Sequence, residues 1–179
     1  DPKISSSVTR LAMAMGKVAI YQIRKGVDPG PQYEKAMHMF HQALKLNPKN
    51  AECWGGRANI RREYALFVMF RKDKQPEKLF AHAIRDYTEA LKINPSIYPY
   101  LQQRCQVRIA LAQLFSKKEK KSREVKLTLD SAQKDANELA KGKPKWYQAW
   151  SMRAAVETGI AVHRNRMGKD PSQHFQQAL

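Results

Sequence analysis

The sequence repeats itself about every 47 residues, and this repeat restricts the possible folds more than any other feature. Its clearest landmarks are Asn47-Pro48 and Asn94-Pro95, which each close an Ala-Leu-Lys-aliphatic pattern 47 positions apart. A weaker copy ends 49 positions later at Pro144. An arginine recurs in step with these prolines, at Arg10, Arg57, Arg104 and Arg153. Such periods are typical of solenoids, in which neighbouring repeats bury each other's apolar faces.

Each unit is predicted to contain two helices, here called helix A and helix B. In the first helix B, apolar residues follow one another at helical steps of three and four: Tyr33, Ala36, Met37, Phe40, Ala43 and Leu44. Prolines fall at the predicted helix borders, where they do not interrupt helical hydrogen bonds, and Pro2 is predicted to precede the first helix. The predicted helices are 6–25, 31–46, 50–71, 76–93, 97–117, 122–141, 146–167 and 171–179.

Helix B resembles the tetratricopeptide repeat, whose pattern is aromatic, Ala, aromatic, Ala and then Pro. The chain carries two copies with this spacing, Tyr33, Ala36, Phe40, Ala43, Pro48 and Phe80, Ala83, Tyr87, Ala90, Pro95. A third copy keeps the spacing with other residue types, Leu129, Ala132, Ala136, Leu139, Pro144. In helix A, a bulky residue precedes a small one by four positions, in the pairs Trp54 and Ala58, Leu101 and Cys105, Trp150 and Ala154.

The resemblance implies an all-α fold, a right-handed α-solenoid of antiparallel helical hairpins. One repeat domain is expected over residues 1–179, with units at about 6–48, 50–95, 97–144 and 146–179, the last of them incomplete. The unit is longer than the 34 residues usual in this family. In that length and in its recurring arginine, it also looks loosely like repeats attached to some bacterial serine/threonine protein kinases. The chain is predicted to be a segment of a longer protein.

Two of the recurring arginines have acidic residues at matching places on helix B. Arg57 is predicted to pair with Asp86, and Arg104 with Asp135, because a guanidinium close to the hairpin interior needs a partner. These are interpreted as structural ion pairs. The alternative is a row of arginines along a groove that grips carboxylates or phosphates.

The family resemblance also implies that helix A lines a concave groove. The groove positions expected to be exposed are Gly55, Asn59, Arg62, Gln102, Gln106, Ser151 and Ala155. Side-chain amides at such positions suit hydrogen bonding to an extended peptide backbone. The alternative is that they only solvate the surface. The lysine-and-asparagine clamp by which some family members hold a terminal carboxylate is not found in this set.

The chain is strongly basic, with 33 Lys and Arg against 16 Asp and Glu and a net charge of +17. Such a field favours acidic partners, which include a protein segment, a nucleic acid or an anionic membrane surface. Basic runs are predicted at two hairpin tips, where the alternative is ordinary solvated loops: Arg71, Lys72, Lys74, Lys117, Lys118, Lys120 and Lys121.

Catalytic, metal-binding and cofactor-binding patterns are not found in the sequence. It has no Gly-rich phosphate loop, no His-Glu-x-x-His and no Gly-x-Ser-x-Gly. His38 and His41 share a helix face without a carboxylate at ligand spacing. Cys53 and Cys105 are interpreted as small buried side chains rather than a disulfide or a metal site, which favours a reducing compartment such as the cytoplasm.

The predicted function is therefore a non-enzymatic scaffold for protein–protein recognition, with a peptide or partner domain in the helix A groove. The alternative is electrostatic binding of nucleic acid or an acidic partner through the basic tips. Self-association through the apolar face of the incomplete last hairpin is a third hypothesis. The longest apolar run, 64–70, is too short to cross a membrane, so no membrane insertion is expected within this sequence.

Overall fold

A computed structural model of the chain describes residues 2–69, 71, 75–118 and 121–178, with side chains from residue 4 onwards. This described part contains no strand and has eight α-helices: α1 (Pro2–Arg24), α2 (Gly30–Leu46), α3 (Ala51–Val68), α4 (Pro76–Ile93), α5 (Tyr98–Ser116), α6 (Ser122–Gly142), α7 (Tyr147–Arg166) and α8 (Ser172–Ala178). The predicted all-α class is confirmed.

The predicted helix ends differ most from the structure in the first and third helices. α1 begins at Pro2, four residues before the predicted start, so the expectation that Pro2 precedes the helix is wrong. Proline is compatible with the first turn because the backbone N–H groups there have no partner within the helix. α3 ends at Val68, three residues before the predicted end.

The chain divides into two compact units, Asp1–Ser96 and Ile97–Leu179. In the first unit, α1 and α2 form one hairpin, α3 and α4 form the next, and α3 packs against both helices of the first hairpin. In the second unit, α5 and α6 form a hairpin, α7 packs against both, and α8 packs against α7. Within each unit the helices pack on their sequence neighbours, as in an α-solenoid. That all repeats form one domain stays a prediction.

The family-type positions of helix B form the apolar core in both units. All twelve have at most 5% of their surface exposed: Tyr33, Ala36, Phe40, Ala43, Phe80, Ala83, Tyr87, Ala90, Leu129, Ala132, Ala136 and Leu139. The alanines permit close approach of the paired helix, and the larger residues fill the space beside them. The third copy therefore occupies the same buried positions as the first two, although its residue types differ.

Two glycines end the A helices of the first and last hairpins in the same way. Gly26 and Gly168 have φ values of 71° and 67°, the left-handed region that glycine adopts at least cost. The next residue in each case, Val27 or Lys169, donates its backbone N–H to a carbonyl five positions earlier, at 2.9 Å. This is the Schellman arrangement, and it fixes the turn that leads to helix B.

Candidate functional site

Asp86 lies at the centre of a buried cluster of charged side chains in the first unit. The carboxylate is fully buried. Arg57 binds it through two parallel hydrogen bonds, from Nε to Oδ2 at 2.8 Å and from Nη2 to Oδ1 at 2.7 Å. Arg61, one turn further along α3, donates from Nη1 to Oδ2 at 2.5 Å. The structure thus joins Arg57 to Asp86 and adds a second arginine to the pair.

The second unit repeats this arrangement around Asp135, which is 2% exposed. Arg104 donates from Nε to Oδ2 at 3.1 Å and from Nη2 to Oδ1 at 2.7 Å. Arg108 also forms an ion pair with Asp135, and its Nη1 donates to the Ser131 carbonyl at 2.9 Å. Burial lowers the pKa of Arg108, and the neighbouring carboxylate opposes that shift. We call each group of two arginines and one aspartate a clamp.

Sequence reasoning found one arginine of each clamp and missed the other. Arg61 and Arg108 lie 47 positions apart, like Arg57 and Arg104, so the repeat itself contained the signal. In the first hairpin the position equivalent to Asp86 is Met39, and Arg10 at the equivalent arginine position is exposed. The clamps are therefore confined, among the described residues, to the α3/α4 and α5/α6 hairpins.

Trp54 and Trp150 show that the repeat extends to the fourth A helix. Each indole Nε1 donates to a proline carbonyl six positions earlier, Pro48 or Pro144, at 2.8 Å. The recurring arginine also stacks on each ring. The guanidinium carbon of Arg57 lies 4.7 Å from the Trp54 ring centre, and that of Arg153 lies 5.1 Å from the Trp150 ring centre. The two tryptophans thus have the same contacts two repeats apart. These contacts are typical of packing residues.

The residues expected to line the helix A groove are less exposed than their sequence positions indicated. Gly55 is buried, so its predicted exposure is wrong, whereas Ser151 is exposed as predicted. The other groove candidates are half-buried: Asn59, Arg62, Gln102, Gln106 and Ala155. In the first unit the reason is close packing of α3 on α1 and α2. A Cβ at the next residue, Gly56, would lie 3.1 Å from Cε1 of Phe40. Asn59 accepts a hydrogen bond from the Tyr87 hydroxyl at 2.6 Å, so its amide oxygen is already engaged.

Three polar atoms on the A helices are shielded from solvent without a hydrogen-bond partner among the described residues. They are Oε1 of Gln22, Nε of Arg62 and Oε1 of Gln103. The terminal Nη2 of Arg62 contacts the Glu63 carboxylate. Buried polar atoms are usually satisfied, and an unmade hydrogen bond costs about 1–3 kcal/mol. Sequence reasoning did not select Gln103, which lies beside the predicted Gln102.

The basic tips are partly engaged with their own hairpins. The guanidinium carbon of Arg71 lies 4.1 Å from the Phe67 ring centre. Nζ of Lys121 lies 2.6 Å from Oε1 of Glu124. Lys117 and Lys118 are exposed. The remaining predicted tip residues, Lys72, Lys74 and Lys120, lie outside the described residues.

Cys53 and Cys105 are both free and fully buried, which confirms their interpretation as small packed side chains. Burial raises the pKa of both thiols, that of Cys105 to about 12, and Asp135 contributes to the shift at Cys105. Because the thiolate is the reactive form, both residues are poor nucleophiles in the folded chain.

Thiol labelling provides a direct check of this burial. With iodoacetamide at pH 7.5, we expect neither cysteine to be alkylated in the native chain within a time that fully labels the urea-unfolded chain. Intact-mass spectrometry counts the added groups. Rapid labelling of Cys105 under native conditions would contradict the buried, protonated thiol.

Within the described part of the chain, no three His, Cys, Asp or Glu side chains are grouped so that they could hold a metal ion. The described helices include none whose length and apolar character would allow it to span a membrane. His38 contacts Nε2 of Gln42 through its Nε2 at 2.9 Å, in an exposed position.

No family model matches the chain, and no curated protein matches it. Several solved structures match, among them "Crystal structure of MamA protein". That alignment covers 97% of this chain and 91% of the other, with 14% sequence identity and a TM-score of 0.38. A function for this chain therefore has to be inferred from its own residues.

Proposed function

We propose that the chain is a non-catalytic scaffold for protein–protein recognition, whose A helices bind a peptide or partner domain. One observation carries the proposal, namely that the same hairpin recurs in both units with the same buried positions on helix B. Stacked hairpins of this kind present side chains of successive A helices as an extended surface, and extended surfaces suit protein partners. The cysteines and the tryptophans have packing roles, and the acidic members of the clamps pair with arginines.

The open hydrogen-bonding capacity on the A helices supports this proposal. Gln102 and Gln106 are half-buried on α5, so part of each side chain is accessible to a partner. A glutamine amide can donate and accept at once, which matches the alternating groups of an extended peptide backbone. A bound backbone would therefore pair with the half-buried amides of Gln102 and Gln106.

The alternative function is electrostatic binding of a nucleic acid or an acidic partner at the basic tips. The net charge of +17 and the exposure of Lys117 and Lys118 favour it. The contacts of Arg71 with Phe67 and of Lys121 with Glu124 reduce the number of cations available at the described tips.

A reducing compartment such as the cytoplasm suits two buried free thiols.

Selection from a random peptide library on the immobilised chain tests the proposal. We expect a selected peptide to bind the Gln102→Ala/Gln106→Ala variant at least about fivefold more weakly, through lost hydrogen bonds of about 1 kcal/mol each. The Lys117→Ala/Lys118→Ala variant should bind like the parent chain. Fluorescence anisotropy of the labelled peptide gives the Kd values.

The salt dependence separates the two functions. A mostly neutral peptide on the A helices should change its Kd little between about 50 and 200 mM NaCl, whereas phosphate binding weakens linearly in a log–log plot. The groove proposal is overturned if Kd depends steeply on salt and only the Lys117→Ala/Lys118→Ala variant loses binding. That result would favour binding at the basic tips.

A further inference from the structure

A cleft in the second unit lies apart from all the groove candidates. It is formed by the first half of α6, the end of α7 and the turn that leads to α8, and its volume is about 600 Å³. Its aliphatic part comprises Leu129, Ile160 and Met167. Clefts of about 300–1,000 Å³ with apolar walls and a few polar groups are typical of ligand and peptide sites.

Cationic side chains predominate around this cleft. Four lysines and arginines line it against the single carboxylate of Asp130: Arg123, Lys126, Arg164 and Lys169. Lys126 is neutralised by Asp130, with Nζ 2.7 Å from Oδ2. Arg123 and Lys169 are exposed, and the part of the chain that the structure describes supplies neither with a carboxylate partner. The cleft therefore presents unneutralised positive charge beside an apolar surface.

The titration of His163 is consistent with this positive field. Its ring lines the cleft. Burial is the main cause that lowers its pKa, the positive charges of Arg166 and Lys169 lower the pKa further, and the Asp130 carboxylate opposes the shift. The unneutralised cations that line the cleft would attract an anion.

Hydrogen bonds fix one wall of the cleft before any ligand binds. Glu157 on α7 is 3% exposed and accepts from Nε2 of Gln133 at 2.6 Å. Its other oxygen lies 2.7 Å from Nδ1 of His174. Arg164 donates from Nε to the Asp170 carbonyl at 2.9 Å, which ties the turn to the end of α7. A wall that is already ordered loses less conformational entropy on binding.

We propose that this cleft binds an acidic peptide segment that places an aliphatic side chain on Leu129, Ile160 and Met167 and its carboxylates toward Arg123 and Lys169. Charge complementarity identifies the acidic character, and the aliphatic surface identifies the anchor. The site is separate from the helix A groove, because no groove candidate lines it, although the end of α7 contributes one wall.

Two other occupants fit the cleft less well. A nucleic acid strand is held by bases stacked on aromatic rings, and the residues described around the cleft include no Phe, Tyr or Trp. A second copy of this chain would bring the same net charge of +17 to a positive site, so repulsion opposes it.

The test measures binding of a fluorescein-labelled Glu-Glu-Leu-Glu-Glu-Leu-Glu peptide to the whole chain. The cleft variant is Arg123→Glu/Lys169→Glu, and the control is Lys78→Glu/Arg85→Glu on α4, which makes the same change in net charge at exposed sites. We expect the cleft variant to bind about tenfold more weakly at low salt and the control less than about twofold. A peptide with Gln in place of Glu should bind weakly to the parent chain.

The proposal is overturned if both double variants weaken binding equally, because the overall field alone then attracts the peptide. It is also overturned if the Gln peptide binds as well as the Glu peptide, or if an oligothymidylate of equal charge depends on Arg123 and Lys169 while the peptide does not. The Gln102→Ala/Gln106→Ala variant should retain full binding of the acidic peptide. Failure here would therefore be distinguishable from failure of the helix A proposal.

Discussion

Replacing Asp86 by Ala should destabilise the first unit by about 3–5 kcal/mol. The substitution leaves Arg57 and Arg61 beside each other without their shared carboxylate, and Arg57 is 7% exposed. A buried cation that loses its partner costs far more than the pair contributes, because its desolvation is no longer compensated. Urea unfolding followed by far-UV circular dichroism measures the change as a lower midpoint. Asp135→Ala should act in the same way on the second unit.

Asp130→Ala is the matched control for these substitutions. Asp130 pairs with Lys126 at 2.7 Å, but the carboxylate is 43% exposed and the lysine 68%. A solvated pair of this kind contributes about 0–1 kcal/mol. If Asp86→Ala left the midpoint as unchanged as the control does, the arginines would not depend on Asp86. The recurring arginines would then be better interpreted as a row that binds external carboxylates or phosphates.

The core and two of the three members of each clamp could be predicted because both depend on periodicity. Residues such as Phe40 and Phe80 recur at fixed spacing, and a helix with that spacing has one face to bury. Arg57 and Asp86 were matched because both have a counterpart one repeat later. Arg61 also has such a counterpart, in Arg108. It was missed because Asp86 already had one predicted partner.

The exposure of the A helices could not be predicted from the repeat. α3 packs against three other helices of its unit, and the sequence does not tell how much of its surface they cover. Asn59 is engaged because Tyr87 on α4 has a hydroxyl within reach, a contact between residues 28 positions apart. The cleft depends on Arg123 and Lys169, which line the same cleft only through the packing of α6 on α7 and the turn at Gly168.

Replacing Phe40 by Ala should destabilise the first unit by about 3–5 kcal/mol through the loss of buried contacts and the cavity left behind. Phe40 is fully buried in a cluster that includes Ala12 on α1 and Cys53 and Ile60 on α3. The Cys53 thiol also lies 3.8 Å from the Phe40 carbonyl. The substitution therefore opens the point at which α1, α2 and α3 meet. Urea unfolding gives the free energy of unfolding.

Leu46→Ala on the same helix is the control, because Leu46 is 48% exposed and should cost less than about 1 kcal/mol. The thiol of Cys53 adds a second readout. Helices of neighbouring hairpins bury their apolar faces against one another. The Phe40→Ala cavity should therefore make Cys53 more reactive toward iodoacetamide in the native chain, whereas Leu46→Ala should not. Equal urea midpoints and equal Cys53 labelling for the two variants would contradict the hairpin core. The aromatic position of helix B would then contribute no more to stability than a surface residue.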